Sequence, residues 1–496
     1  MMKIDKDLLA IQEVRNLVAK AKEAQKILDT YPQEKIDEIV KAMADEAAAA
    51  SEWLARIAVE ETDIGVYEDK IIKNLFAAKR VYETIKDLKT VGFIRKDEVN
   101  KVYEIAEPVG VIAALTPTTN PTSTAIFKSL ISVKARNAIV FSPHPRAADC
   151  TSQAVEIMHK AAIRAGAPEG ILGCISTPTL EATQTLLKHP DVNLILATGG
   201  SDMVKAAYSA GKPAYGVGPG NVPAYIERSA NVKDAVKAII ASKTFDNGTI
   251  CASEQAVICD RCIAEEVKNT FTELGGVFLN PEEIYKLEKY AFRYDGSLNP
   301  AIVGKSAVDI AEKAGIKVPN GTRVLLAPLS GVGKQYPLSK EKLSPILAYY
   351  EVEDWKEACQ LCIELLNLGG LGHSMSIHSN DEEIIKKFAL EKPAFRILVN
   401  QPSSFGAIGA TTGLVPSLTL GCGTWGGNAT SDNIGPMHLM NIKRVAYGVR
   451  TLDELKASLL AKENKPNECN AAGVSKELNA DIIKSIVEEV LKRINS

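Results

Sequence analysis

The chain is poor in aromatic residues, which make up 6% of its 496 positions, and this speaks against the base-stacking platforms that hold single-stranded nucleic acid. It also lacks a basic excess. Its 58 Lys and Arg against 61 Asp and Glu give a formal charge of −3, too little cation to displace counterions from a phosphate backbone. No run reaches the roughly 18 apolar residues of a membrane span. The opening MMKIDKDLLAIQEV interleaves charges with apolar positions and has no h-region of a secretory signal. The 9 cysteines have irregular spacing and make no disulfide framework, so reduced thiols and a cytoplasmic setting are expected. Fixed-period repeats and low-complexity tracts are missing as well. What remains is ordinary globular composition, 46% apolar and 24% charged. At roughly 150 residues per domain, the length suffices for about three structural units.

Residues 4–90 read as helices, with apolar positions recurring every three or four residues. From Val102 the pattern shortens into β-rich runs broken by Pro108 and Gly110. AIVFSP (138–143), ILGCIS (171–176) and NLILATGG (193–200) then alternate with helical stretches. A second alternating series holds EQAVICD (254–260), TRVLLAP (322–328), SMSIHS (374–379) and FRILVN (395–400). Such alternation predicts an α/β fold of parallel sheets covered by helices, with a seam near residue 224. Residues 456–475 are polar and small and read as a linker. In 476–496, Leu478, Ile482, Ile483, Ile486, Val487, Val490, Leu491 and Ile494 fall on one helical stripe. A lone helix of that length needs a partner, either its own protein or a groove on another one.

The strongest local signal is FDNGTICASEQ (245–255), in which the Asn247–Gly248 turn pair precedes Cys251. A turn exposes a thiol, and flanking N–H groups favour its nucleophilic thiolate. A single Cys is more often a small buried hydrophobe, so its company decides. Cys259 with Cys262, and Cys359 with Cys362, have C-x-x-C spacing, but about a hundred residues separate the pairs, far more than compact zinc modules use. No metal site is expected.

FDNGTICASEQ, TPTTNPTSTAIFKSLISVKARNAIVFSPHPRA, ATGGSDMVKAAYSAGKPAYGVGPGN and PSLTLGCGTWGGNATSDNIGPMHLMNI together resemble the aldehyde dehydrogenase superfamily, and more narrowly its coenzyme-A-acylating branch. The likeness runs from about residue 10 to 450. It implies a Rossmann-type cofactor domain (1–223), a catalytic domain carrying the nucleophile (224–428), a return strand for oligomerisation (429–455) and a pairing hairpin near 98–107. It further implies that Cys251 attacks the aldehyde carbonyl, with Asn120 and the Cys251 N–H as oxyanion donors. Hydrolytic relatives carry a water-activating Glu that falls here on about Val217, where no carboxylate stands, so transfer to coenzyme A is the expected fate of the acyl group. Thr118, His144, Thr198, Gly199, Gly200 and Glu341 match cofactor-binding positions. His373 matches a residue that could move a proton or touch coenzyme A. NAD is the implied cofactor, with NADP open because Arg146 could accept a 2′-phosphate. Loops 402–410 and 421–428 would line the aldehyde pocket.

Acetaldehyde or propionaldehyde is the expected substrate. A charged aldehyde such as succinate semialdehyde or sulfoacetaldehyde, a hydrolytic dehydrogenase, and a non-catalytic shell-associated protein are the alternatives. Homodimers or homotetramers follow from the resemblance. The tail 476–496 looks like the peptide that recruits such enzymes to the shell of a bacterial microcompartment within the cytoplasm. No nucleic acid and no membrane are expected as partners.

Overall fold

The computed structural model describes residues 5–460. The expected recruitment peptide, 476–496, and most of the expected linker, 461–475, lie outside the described residues. Residues 456–460 continue the helix Leu452–Leu460.

Among the described residues two units are distinguishable, one of residues 5–94 and 104–443, the other of 95–103 and 444–460. The larger opens with helices Lys6–Leu28, Gln33–Ala49, Ser51–Thr62 and Tyr67–Leu75. Behind them stands a five-stranded sheet, in the spatial order Leu172–Cys174, Ala138–Pro143, Val111–Thr116, Leu194–Thr198 and Ala214–Val217. All its pairings are parallel. The chain works outward from Val111–Thr116 in one direction, then returns to its other side at Leu194–Thr198. The carboxyl ends of those two strands are therefore the topological switch point, where open parallel sheets bind ligands. Strand Val111–Thr116 is buried on both faces, and so its residues form a continuous run rather than an alternating one.

A second parallel sheet has seven strands, in the order Gly276–Phe278, Val324–Pro328, Ile346–Val352, Glu254–Asp260, Val222–Ile226, Gly372–His378 and Ala394–Val399. The change of sheet falls between Val217 and Val222, so Val222 and Pro223 belong to the second sheet, ahead of the seam read near 224. Helices Val232–Thr244 and Trp355–Gly369 cover its two faces through separate apolar cores.

Strands Gly92–Asp97, Val102–Pro108 and Met440–Ala446 make a three-stranded sheet, with the first two as a hairpin. Within the smaller unit, Tyr103 meets Tyr447 edge-on at 5.5 Å, and the Tyr447 N–H donates to the Lys101 carbonyl at 3.0 Å.

Candidate active site

Two loops leave the switch point. Residues 117–120 follow the first strand and end at Asn120, where Pro121 opens the helix Pro121–Lys134. Proline suits that first helical position because its missing N–H is not needed there. Thr198–Gly200 follow the second strand, and helix Ser201–Tyr208 begins immediately after them. Built with a Cβ, Gly200 would meet nothing within 4 Å. The helix N-terminus therefore faces open space suited to a pyrophosphate.

The second sheet contributes Cys251 from just before strand Glu254–Asp260. Asp246, Asn247 and Gly248 are consecutive left-handed residues, with φ of 49°, 52° and 75°. Asp, Asn and Gly are the residues that tolerate this conformation, and three in a row turn the chain sharply. Behind Cys251 passes Gly220, in the connection between the sheets. A Cβ there would lie 2.1 Å from the Cys251 carbonyl oxygen, so only glycine admits this approach.

Between the two sheets lies a cavity of about 360 Å³. Thr118, Asn120, His144, Thr198, Gly199, Gly200, Cys251 and Glu341 all line it, so eight of the nine site residues expected from the sequence converge. Val217 lines it too. Among the described residues of its wall, Glu341 is the one carboxylate and Lys73 the one ammonium. The remainder is largely apolar and includes Phe76, Phe245, Phe405, Ile408, Leu418 and Leu420. Phe245 and Phe405 pack with ring centroids 4.7 Å apart.

Glu341 accepts the Gly220 N–H at 3.0 Å, and burial raises its carboxyl to about 7. Burial, then Glu341 and Cys422, push the Cys251 thiol up to about 12. This runs against the expectation of a populated thiolate at Cys251, because desolvation outweighs both Arg396 and the residue's own N–H. The Asn120 amide donates to the Thr249 carbonyl at 2.9 Å and to Thr119 Oγ1 at 3.2 Å. Its Oδ1 accepts from Lys73 Nζ at 2.6 Å.

His373 is the residue that the structure sets apart. It stands in strand Gly372–His378, fully buried, rather than in a flexible turn, and it is absent from the cavity wall. Its ring packs beyond Gly220, Nδ1 pairs with Ser374 Oγ at 3.0 Å, and Nε2 is buried without a partner. Burial and Arg396 draw its pKa down to about 3, so the ring is neutral. Loop 421–428 also stands back from the wall, where Leu418 and Leu420 line in its place.

The aldehyde dehydrogenase family model matches residues 8–275. The chain is 48% identical over 441 residues to the aldehyde-alcohol dehydrogenase of Clostridium acetobutylicum, covering 88% of this chain and 51% of that one. The chain belongs to the aldehyde dehydrogenase family. It spans about half the length of the first curated relatives it matches. Among solved structures, an acetylating aldehyde dehydrogenase from Geobacillus thermoglucosidasius is 57% identical, with a TM-score of 0.90, covering 91% of this chain and 99% of that one. Rhodopseudomonas palustris propionaldehyde dehydrogenase, solved with bound CoA and an acylated cysteine, is 29% identical with a TM-score of 0.79, covering 88% of this chain and 97% of that one.

Sequence reading missed Lys70, Lys73 and Asp246. They form a buried cluster in which both ammonium groups pair with the Asp246 carboxylate. Burial raises that carboxyl, but Lys73 and Lys70 outweigh it and hold the group below the usual carboxylate range. Helix Tyr67–Leu75 turns Lys70, Lys73 and Asn74 inward and leaves Ile72 half exposed, the reverse of the usual amphipathic arrangement. Two lysines three apart on the face away from the apolar residues were the available signal. Cys259 lies against Tyr349 Oη at 3.1 Å, Cys362 is buried in a helix face, and no three metal-ligating side chains converge among the described residues.

Proposed function

We propose that this chain is a CoA-acylating aldehyde dehydrogenase, converting acetaldehyde or propionaldehyde with CoA and NAD+ into acyl-CoA and NADH. The observation that carries the reading is one cavity holding a thiol, an amide donor and no water-activating carboxylate at the Val217 position. Deprotonated Cys251 adds to the aldehyde carbonyl and gives a thiohemiacetal. Its oxyanion takes an Asn120 N–H, displacing the longer contact to Thr119. Such donors act before any reorganisation, which is why each one matters.

A nicotinamide dinucleotide held by Thr118, His144, Thr198–Gly200 and Glu341 supplies the hydride acceptor. The open helix N-terminus at Gly200 fits its pyrophosphate. Arg146 stands outside the cavity wall and donates to the Thr62 carbonyl at 3.2 Å, which favours NAD over a 2′-phosphorylated cofactor. Oxidation leaves the acyl group on Cys251 as a thioester. A thiol with a pKa near 8–9 is partly ionised at neutral pH and discharges that thioester without the base that water needs. His373, neutral and screened by Gly220, serves as packing rather than as acid.

The apolar wall selects against charged aldehydes, because Lys73 is already engaged by Asp246, Asn120 and Thr249. Subunits pair through the hairpin near 98–107 and the strand Met440–Ala446 as dimers or tetramers. The tail 476–496, with its apolar stripe, recruits the enzyme to a microcompartment shell, and deletion of 461–496 is expected to abolish co-purification with shells while sparing turnover. The deciding experiment is NADH formation from propionaldehyde with and without CoA. Strict dependence on the thiol is expected, and equal rates in its absence point to hydrolysis instead.

A further inference from the structure

The buried lysine cluster has one carboxylate partner in contact with two ammonium groups. Both ammonium groups pair with that carboxylate, and Asp69, which accepts the Asp246 N–H at 2.7 Å, adds a second negative charge near Lys73. Both lysines also reach the loop that carries Asn120. Lys70 Nζ donates to the Thr119 backbone carbonyl at 2.9 Å. Lys73 Nζ donates to Asn120 Oδ1 at 2.6 Å and to Thr249 Oγ1 at 3.1 Å. We propose that Lys73 is the positioning residue of the oxyanion donor, fixing which way the Asn120 carboxamide faces and polarising it toward the reacting carbonyl. This rests on the reading of Asn120 as that donor.

The argument is one of donors and acceptors. An ammonium can only donate and a backbone carbonyl can only accept. Asn120 sits between one of each: Lys73 on its oxygen side and the Thr249 carbonyl, 2.9 Å away, on its nitrogen side. Rotating the carboxamide by half a turn sets NH₂ against ammonium and oxygen against oxygen. Only one orientation is open, and it aims Nδ2 at the segment leading to Cys251. A cation on Oδ1 also withdraws charge from the amide nitrogen and strengthens its N–H as a donor, an effect that low dielectric enlarges. Lys70 holds the same loop by its backbone and does neither of these things.

A double-mutant cycle on the full chain separates this from a purely structural role. Asn120→Ala is expected to lower kcat by roughly 10²–10³-fold, as loss of an oxyanion donor does. Lys73→Met is expected to lower kcat about 10-fold or more, the effect of losing one charged hydrogen bond, while the aldehyde KM and NAD+ affinity stay within about 3-fold. The double variant is expected to be no slower than Asn120→Ala alone, within about 3-fold, since Lys73 acts through the amide. Lys70→Met is the comparator, and its loss is expected to multiply with that of Asn120→Ala. Lys73→Gln, which keeps a donor without the charge, is expected to fall between wild type and Lys73→Met, and it carries the same cycle should Lys73→Met not fold. Multiplying losses for Lys73 and Asn120, or a Lys73 variant with unchanged kcat, overturns the proposal alone. Full activity of Asn120→Ala overturns the donor reading and the proposal with it.

Discussion

Replacing Gly220 by alanine is the smallest change that tests how the two sheets hold Cys251. The added Cβ would stand 2.1 Å from the Cys251 carbonyl oxygen and 3.2 Å from the His373 ring. Real Cβ contacts essentially never fall under 3.0 Å, so the backbones must part by 3.0 − 2.1 = 0.9 Å or more. The neighbour is main chain and cannot swing aside as a side-chain tip would. Overpacking of this kind costs about 1–3 kcal/mol, which a domain of ordinary stability survives. Catalysis is less forgiving, because a displacement of about 1 Å at reacting groups costs roughly 10²-fold. Gly220→Ala is therefore expected to fold, with a modestly lower Tm, and to lose about 10²-fold in kcat for acyl-CoA formation. Thermal melts and steady-state NADH assays on the purified variant check both. A kcat within about 3-fold of wild type, at unchanged Tm, would refute the claim that this contact sets the position of Cys251.

Glu341→Gln removes a negative charge that raises the Cys251 thiol, so the thiol pKa is expected to fall below about 12 and alkylation of Cys251 by iodoacetamide at pH 8 to speed up. An unchanged pH profile of alkylation contradicts this. Val217→Glu places a carboxylate in the cavity wall where burial raises its pKa toward neutrality, and CoA-independent NADH formation is expected to appear. Phe405→Ala removes the ring packed on Phe245, so the aldehyde KM is expected to fall for longer chains such as hexanal relative to acetaldehyde, as read from a chain-length series.

Strands Ala138–Pro143 and Glu254–Asp260 were legible because a strand buried on both faces is a short continuous apolar run between turn residues. Cys251, Asn120 and the glycines were legible because each sits in a local motif. What escaped depends on distant partners. The Cys251 thiol is raised by burial first, and then by Glu341 and Cys422, which the sequence places 90 and 171 positions away. His373 follows a glycine-rich stretch that reads as a turn, yet strand pairing with Ala394–Val399 draws it into the sheet. Lys70 and Lys73 escaped notice because periodicity treats every charge as outward facing and cannot see Asp246 arriving on a left-handed turn.

The central claim is that an acyl group rests on Cys251 until a second thiol collects it. Incubating the protein with propionaldehyde and NAD+ in the absence of CoA, then mapping peptides by mass spectrometry, tests it directly. A propionyl adduct on Cys251 that disappears on adding CoA, with propionyl-CoA formed in equal amount, is the predicted result. An adduct at another residue, or release of free propionate before CoA is added, would contradict it.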